Sequence, residues 1–232
     1  MSDEVLEDVA VASPEPGPDV RRSARGQLGQ LWASIFFAPE TKVPKTLLVT
    51  SAERHEGATQ IAAGLGIVGA QSNSELNVLL VDFNLHHPQL PDVLGARPDA
   101  GLAEVLRGGA GLDDAVCATG QPNVHLLSAG REVDHPLGLL RSKQLQTVMS
   151  QLQDYALADH IIIDTAAANR YPEAQTLAGL VDGVILVTRA GVTRRESIGE
   201  AKKRIEQNQG RLLGVVLNQQ RYVIPGFIYR RL

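Results

Sequence analysis

The chain has 232 residues, 44% apolar and 21% charged, which describes one globular domain with room for a tail. Its formal net charge of −4 excludes a nucleic-acid binder with a generally basic surface. The single cysteine, Cys117, excludes an intrachain disulfide and a Cys-built zinc site; a reducing compartment fits, and the residue is expected to be a small buried apolar group.

Taken in chain order, residues 1–20 hold six acids, no Lys or Arg, and Pro14, Pro16 and Pro18. Such a segment buries too little apolar surface to offset its ordering entropy, so residues 1–21 are expected to be a disordered tail. The opening MSDEVLEDVA lacks a basic n-region and an apolar stretch, so no signal peptide is expected. No apolar run approaches ~18 residues, so no membrane span is expected. Residues 22–37 place Leu28, Leu31, Trp32, Ile35 and Phe36 at helical spacing before Pro39. That helix, within a 22–43 segment, either docks on the body or forms an interface.

Apolar runs then alternate with helical patterns. Strands are expected at 46–50, 77–83, 123–130, 160–166, 182–188 and 212–218. Helices are expected at 57–71, 100–107, 141–155, 172–180 and 194–208. Continuously apolar strands separated by helices imply a mostly parallel sheet buried on both faces: an α/β, three-layer, doubly wound domain over 44–221. Ligands bind such sheets at the carboxyl ends of the strands, which points to loops 51–59, 82–90, 164–171 and 218–226.

Two glycine patterns compete for a phosphate. Gly64-Leu-Gly66-Ile-Val-Gly69 matches G-x-G-x-x-G, but it lies well inside a helix rather than directly after a strand. Close helix packing explains it better than a dinucleotide site. The stretch from Ser51 to Thr59 follows the first strand and opens a helix, where backbone N–H groups cradle phosphates. A working loop there ends Gly-Lys-Ser/Thr; this one ends Gly57-Ala58-Thr59.

At this point TLLVTSAERHEGAT resembles the TLLVTS-x-x-P-G-E-G-K-S/T of bacterial tyrosine kinases (BY-kinases), within the MinD/ParA class of P-loop ATPases. LLVDFNLHHPQL (79–90) is similar to the family's Walker A′ segment LLIDADLRxPxL. GLAEVLRGG, VHLLSAG and HPLGLLRS continue the resemblance. IIIDTA (161–166) resembles its Walker B segment, and LLGVVLN (212–218) the strand ending in a base-contacting Asn. The matches run over roughly 45–218. The resemblance implies Asp82 and Asp164 as catalytic acids. It implies nucleotide contacts from Glu56, Gly57, Ala58, Thr59, Gln60 and Asn218, and Mg²⁺ held by Thr59, Asp82 and Asp164. ATP with Mg²⁺ is then the expected cofactor, bound weakly at best.

The departures are specific. Ala58 replaces the lysine, His55 a glycine, Asn84 the second acid, and His86 the arginine. After Asp164, Ala166 and Ala167 replace two prolines. The family's E-x-x-R-x-x-R pattern is absent, with Gly26, Gly29 and Trp32 in its place. The C-terminal tyrosine cluster is thin; Tyr222 and Tyr229, in the 222–232 tail, are the phosphorylation candidates. Phosphoryl transfer is mostly positioning and charge stabilisation, and a lost donor costs ~2.7–4 kcal/mol. A neutral Asn cannot act as a carboxylate base. Lys45 lies at the far end of its strand and cannot replace the lost lysine.

Residues 189–211 carry seven bases and three acids. They form a solvated helix face or a patch for an anionic partner. His86-His87 has no third ligand near in sequence and does not read as a metal site. The reading that leads is a scaffold or regulator in exopolysaccharide synthesis and export, of capsule or holdfast type. It would be cytoplasmic and peripheral at the inner membrane through a membrane co-polymerase partner, with self-association open and no nucleic acid expected. The alternatives are a weak ATP-dependent tyrosine autokinase and a MinD/ParA-like positioning ATPase.

Overall fold

The structure, a computed structural model, describes residues 18–37, 43–130, 136–141 and 143–220. The acidic residues ahead of Pro18, residues 38–42, 131–135 and 142, and the C-terminal tail with Tyr222 and Tyr229 lie outside the described residues.

Helix α1 (Pro18–Phe36) leads into strand β1 (Thr46–Ser51) and helix α2 (Ala58–Ser72). Strand β2 (Val78–Asp82) is followed by three short helices, α3 (Leu90–Leu94), α4 (Leu102–Leu106) and α5 (Leu112–Ala115). Strands β3 (Val116–Ala118) and β4 (Val124–Leu127) precede α6 (Pro136–Leu140) and α7 (Lys143–Gln153). The chain closes with β5 (His160–Asp164), α8 (Glu173–Ala178), β6 (Gly183–Arg189), α9 (Arg195–Gln207) and β7 (Leu212–Asn218). The strands form one sheet in the order β3-β4-β2-β5-β1-β6-β7. All pairings are parallel except β3 with β4.

The central strands are apolar throughout because both sheet faces are covered. Along β1, Leu48 points into one core with α4, α7 and α8, while Leu47 and Val49 point into the other with α1 and α2. Helix α2 is apolar all round, and twelve of its residues are buried. A helix of that composition needs cover on every side: the sheet lies on one side and α1 on the other. The helical glycines make those contacts close. A Cβ on Gly66 would sit 3.1 Å from the Leu80 side chain, and one on Gly69 would collide with the Trp32 indole.

Between the two readings of the N-terminal helix, the structure selects docking on the body. Leu28, Trp32, Ile35 and Phe36 are buried in the α2 core. Trp32 stacks near Phe36, with centroids 4.0 Å apart, and meets His160 edge-on at 5.4 Å. The helix starts at Pro18, earlier than the periodicity suggested. The expected burial of Cys117 is corrected: it is half-buried on β3, a short antiparallel edge strand with no apolar run long enough to announce it. Lys45 sits at the amino end of β1, where its Nζ donates to the Tyr155 carbonyl at 2.9 Å, far from the glycine loop.

Candidate nucleotide site

The loop 52–57 joins the carboxyl end of β1 to the start of α2. Its path needs two left-handed residues, His55 (φ 62°) and Gly57 (φ 86°). Glycine takes that conformation freely, while a side chain there costs on the order of 1 kcal/mol. His55 therefore sits under backbone strain where the resembling pattern has glycine. The loop is pinned from beneath by Glu56. Its carboxylate accepts from the Glu53 N–H at 2.9 Å and from the Thr193 hydroxyl, and its carbonyl accepts from Asn218 Nδ2 at 2.9 Å. The Glu56 side chain is thus a clamp between the loop and the β6–α9 turn. Both polar atoms of the Asn218 amide are engaged within the protein, because Oδ1 also accepts from the Gln219 N–H at 2.9 Å.

The first turn of α2 presents N–H groups without an intrahelical carbonyl. In a phosphate-binding loop these face the anion. Ala58 contributes only a methyl group to this turn and is 8% exposed. Thr59 turns inward, and its hydroxyl donates to Asp164 Oδ2 at 2.7 Å.

Asp82 and Asp164 end adjacent parallel strands in register, so their carboxyls are brought side by side with no exposure to solvent. Asp82 Oδ1 accepts from the Asn84 N–H at 3.1 Å, and Oδ2 from the N–H groups of Gln89 and Leu90 at 3.0 Å each. These bonds favour its ionised form, but burial outweighs them and pushes its pKa up to about 7. Burial, then the neighbouring Asp82, raise Asp164 well above the usual carboxylate range. Asp164 Oδ1 is buried without a partner among the described residues.

Asn84 turns back on its own loop, its Oδ1 accepting from the His87 N–H at 3.2 Å. His86 does not line the cavity beside the loop. Its ring stacks on Tyr171 with centroids 4.2 Å apart, and Nε2 lies 2.9 Å from Glu173 Oε1. Burial drives both toward neutrality, lowering His86 and raising Glu173 to about 7.

One cavity of about 660 Å³ gathers most of the expected residues: His55, Glu56, Gly57, Ala58, Thr59, Gln60, Asn84 and Asn218. Asp82 and Asp164 lie just below it, while His86 lies aside. The same cavity is lined by Arg54, His87 and Tyr171, which lie in the expected ligand loops but were not singled out as contacts, and by Arg189, which lies outside those loops. Arg189 had a signal, since it ends a parallel strand at the carboxyl edge of the sheet. Tyr171 had only its place at the end of the expected 164–171 loop, with nothing in its neighbours to single it out.

The donor set fits Mg²⁺ in part. Thr59 Oγ1 and the unpartnered Asp164 oxygen are the hard oxygens such an ion takes, whereas both Asp82 oxygens are already committed to backbone N–H groups. Among the described residues no group of three or more His, Cys, Asp or Glu could hold a metal ion. Magnesium here would therefore need phosphate oxygens as well, its usual mode in phosphoryl-transfer sites.

The parallel sheet, the glycine loop after β1 and the paired aspartates define a P-loop domain of the MinD type. No family model matches the chain. It is 30% identical over 179 residues to the tyrosine-protein kinase CpsD of Streptococcus agalactiae serotype III, covering 77% of this chain and 75% of the relative. It is 30% identical over 185 residues to the tyrosine-protein kinase YwqD of Bacillus subtilis, covering 80% and 76%. Among solved structures, the chimerical protein CapA2B2 superposes with a TM-score of 0.78 at 23% identity, over 93% of this chain and 91% of that one. The septum site-determining protein MinD of Pyrococcus horikoshii, solved with Mg-ADP, superposes at 0.64 and 24% identity, over 81% and 76%. The chain belongs to the bacterial tyrosine-protein kinase family.

Proposed function

We propose that this chain is a non-catalytic or nearly non-catalytic member of its family. It acts as a scaffold that regulates assembly or export of an exopolysaccharide of capsule or holdfast type. The observation that carries the reading is Ala58: at the start of α2, where a lysine would reach the transferred phosphoryl group, there is a methyl group. Removing one such donor costs ~2.7–4 kcal/mol, or about 10²–10³ in rate. Asn84 compounds the loss, since it replaces a carboxylate with a neutral amide already bonded to its own loop.

When bound, magnesium would supply charge neutralisation at phosphate oxygens, with Thr59 and Asp164 as its holders on this chain. The backbone of 57–60 would orient the phosphates, and Glu56 would keep that backbone in place. Among the described residues no helix is long and apolar enough to cross a membrane. Membrane association is proposed to run through a partner of the co-polymerase type. The intact Thr59–Asp164 pair favours a second reading, a slow autokinase acting on Tyr222 or Tyr229.

The test is co-expression with its membrane co-polymerase, followed by phosphotyrosine detection on the chain. The expected result is no signal above that of the Asp164→Asn variant. Strong phosphotyrosine lost in Asp164→Asn would overturn the scaffold reading in favour of the autokinase.

A further inference from the structure

The loop has lost one cation and gained another. In the pattern S-x-x-P-G-E-G-K-S/T the fourth position is proline, and here it is Arg54, while the lysine position is Ala58. Arg54 lines the same cavity as Ala58 and Thr59, and Arg189 reaches that cavity from the end of β6.

Among the described residues no carboxylate is paired with Arg54. Among the described residues its guanidinium lies 5.0 Å over the Tyr171 ring and 3.4 Å from His87 Nε2, and neither is a carboxylate. The acids of its own loop are occupied elsewhere. Glu53 pairs with Arg170 at 2.8 Å, and Glu56 takes the Thr193 hydroxyl and the Glu53 N–H. Arg54 and Arg189 thus line a space of nucleotide size together with the open first turn of a 15-residue helix.

We propose that Arg54, together with Arg189, binds a magnesium-bound diphosphate or triphosphate group at the rim of the loop and so takes over the anchoring that the absent lysine would give. The inference rests on the scaffold reading and deepens it: the scaffold senses a nucleotide without turning it over. Guanidinium groups fork onto phosphate oxygens in bidentate pairs. A rim cation binds the ground state as well as the transition state, so it gives affinity without rate.

The test is calorimetric titration of the full chain and its Arg54→Gln and Arg54→Lys variants with MgADP, magnesium pyrophosphate and adenosine. The melting temperature of each unliganded variant serves as the folding check. The native chain is expected to bind MgADP and magnesium pyrophosphate but not adenosine. Arg54→Gln should weaken both at least tenfold, and Arg54→Lys less. Equal affinity for the two phosphate ligands assigns recognition to the phosphates alone; tighter MgADP adds the nucleoside, and both outcomes support the site. Native protein that binds neither phosphate ligand, or Arg54→Gln that binds like native, overturns it. The two readings fail separately. Phosphotyrosine on a chain that binds MgADP through Arg54 sinks the scaffold reading alone, and a silent chain that binds no phosphate ligand sinks only the Arg54 site.

Discussion

Asp164 shows at the scale of one residue how a site and stability pull apart. Its carboxyl is buried beside Asp82, satisfied on one oxygen by Thr59 and unpartnered on the other. A buried carboxyl with a raised pKa keeps its proton in the folded state after the unfolded chain has released it. Above pH ~4 the native state therefore binds more protons, and stability falls as pH rises toward the raised native value. Asp82 and Glu173, both about 7, titrate over the same window. Asp164→Asn removes one of these groups while its side-chain oxygen still accepts from Thr59. The variant is expected to gain about 1–2 kcal/mol at pH 7 and to show a flatter pH dependence, read by urea denaturation at pH 5 and pH 7.5. A less stable variant at pH 7.5 would mean that the carboxylate is satisfied in a way the structure does not show.

At the scale of elements, the decisive contact is helix on helix. Leu28, Trp32, Ile35 and Phe36 recur on one face of α1, and α2 receives Trp32 at Gly69. The G-x-G-x-x-G pattern is packing chemistry: Gly66 admits a leucine of the sheet, and Gly69 admits the indole. Gly69→Val should undock α1, since overpacking of this kind costs ~1–3 kcal/mol or more. Trp32 is the only tryptophan, so its emission reports the event directly. A red shift at unchanged secondary structure is expected, and an unshifted spectrum would show that α1 accommodates the branched side chain.

At the scale of the whole molecule, the pocket and the sheet are separable. The carboxyl ends of β1, β2, β5 and β6 meet around one cavity whether or not a lysine is present, because strand order and register place them there. Ala58→Lys should therefore restore lysine-type anchoring in an otherwise ready pocket. With MgADP at about 100 times Kd, the added stability is about 2.7 kcal/mol, or roughly 5–10 °C in Tm for a domain of this size. A variant that melts at the same temperature with and without MgADP would mean that the loop backbone cannot present its N–H groups to a phosphate.

Much of this molecule was legible in its residues. Strands that are buried on both faces must be apolar end to end, so β1, β2, β5 and β6 stood out, and with them the parallel sheet. The loop that follows β1, with glycine and threonine around an alanine, pointed to the place where the structure forms its cavity at the strands' carboxyl ends. Short elements carry too few residues for a period, so β3 and the helices α3, α5 and α6 were not legible. Nor was the full set of residues facing the cavity. Arg54, Tyr171 and Arg189 are far apart in the chain, and only the crossing of strands and loops brings them together. Sequence thus determined the layers and the position of the glycine loop after β1, because burial and helix periodicity are local properties. Tertiary structure alone decided that Arg189 joins the pocket, that Asp82 and Asp164 lie buried beneath rather than lining it, and that Trp32 fills the space at Gly69, because those depend on register between distant segments.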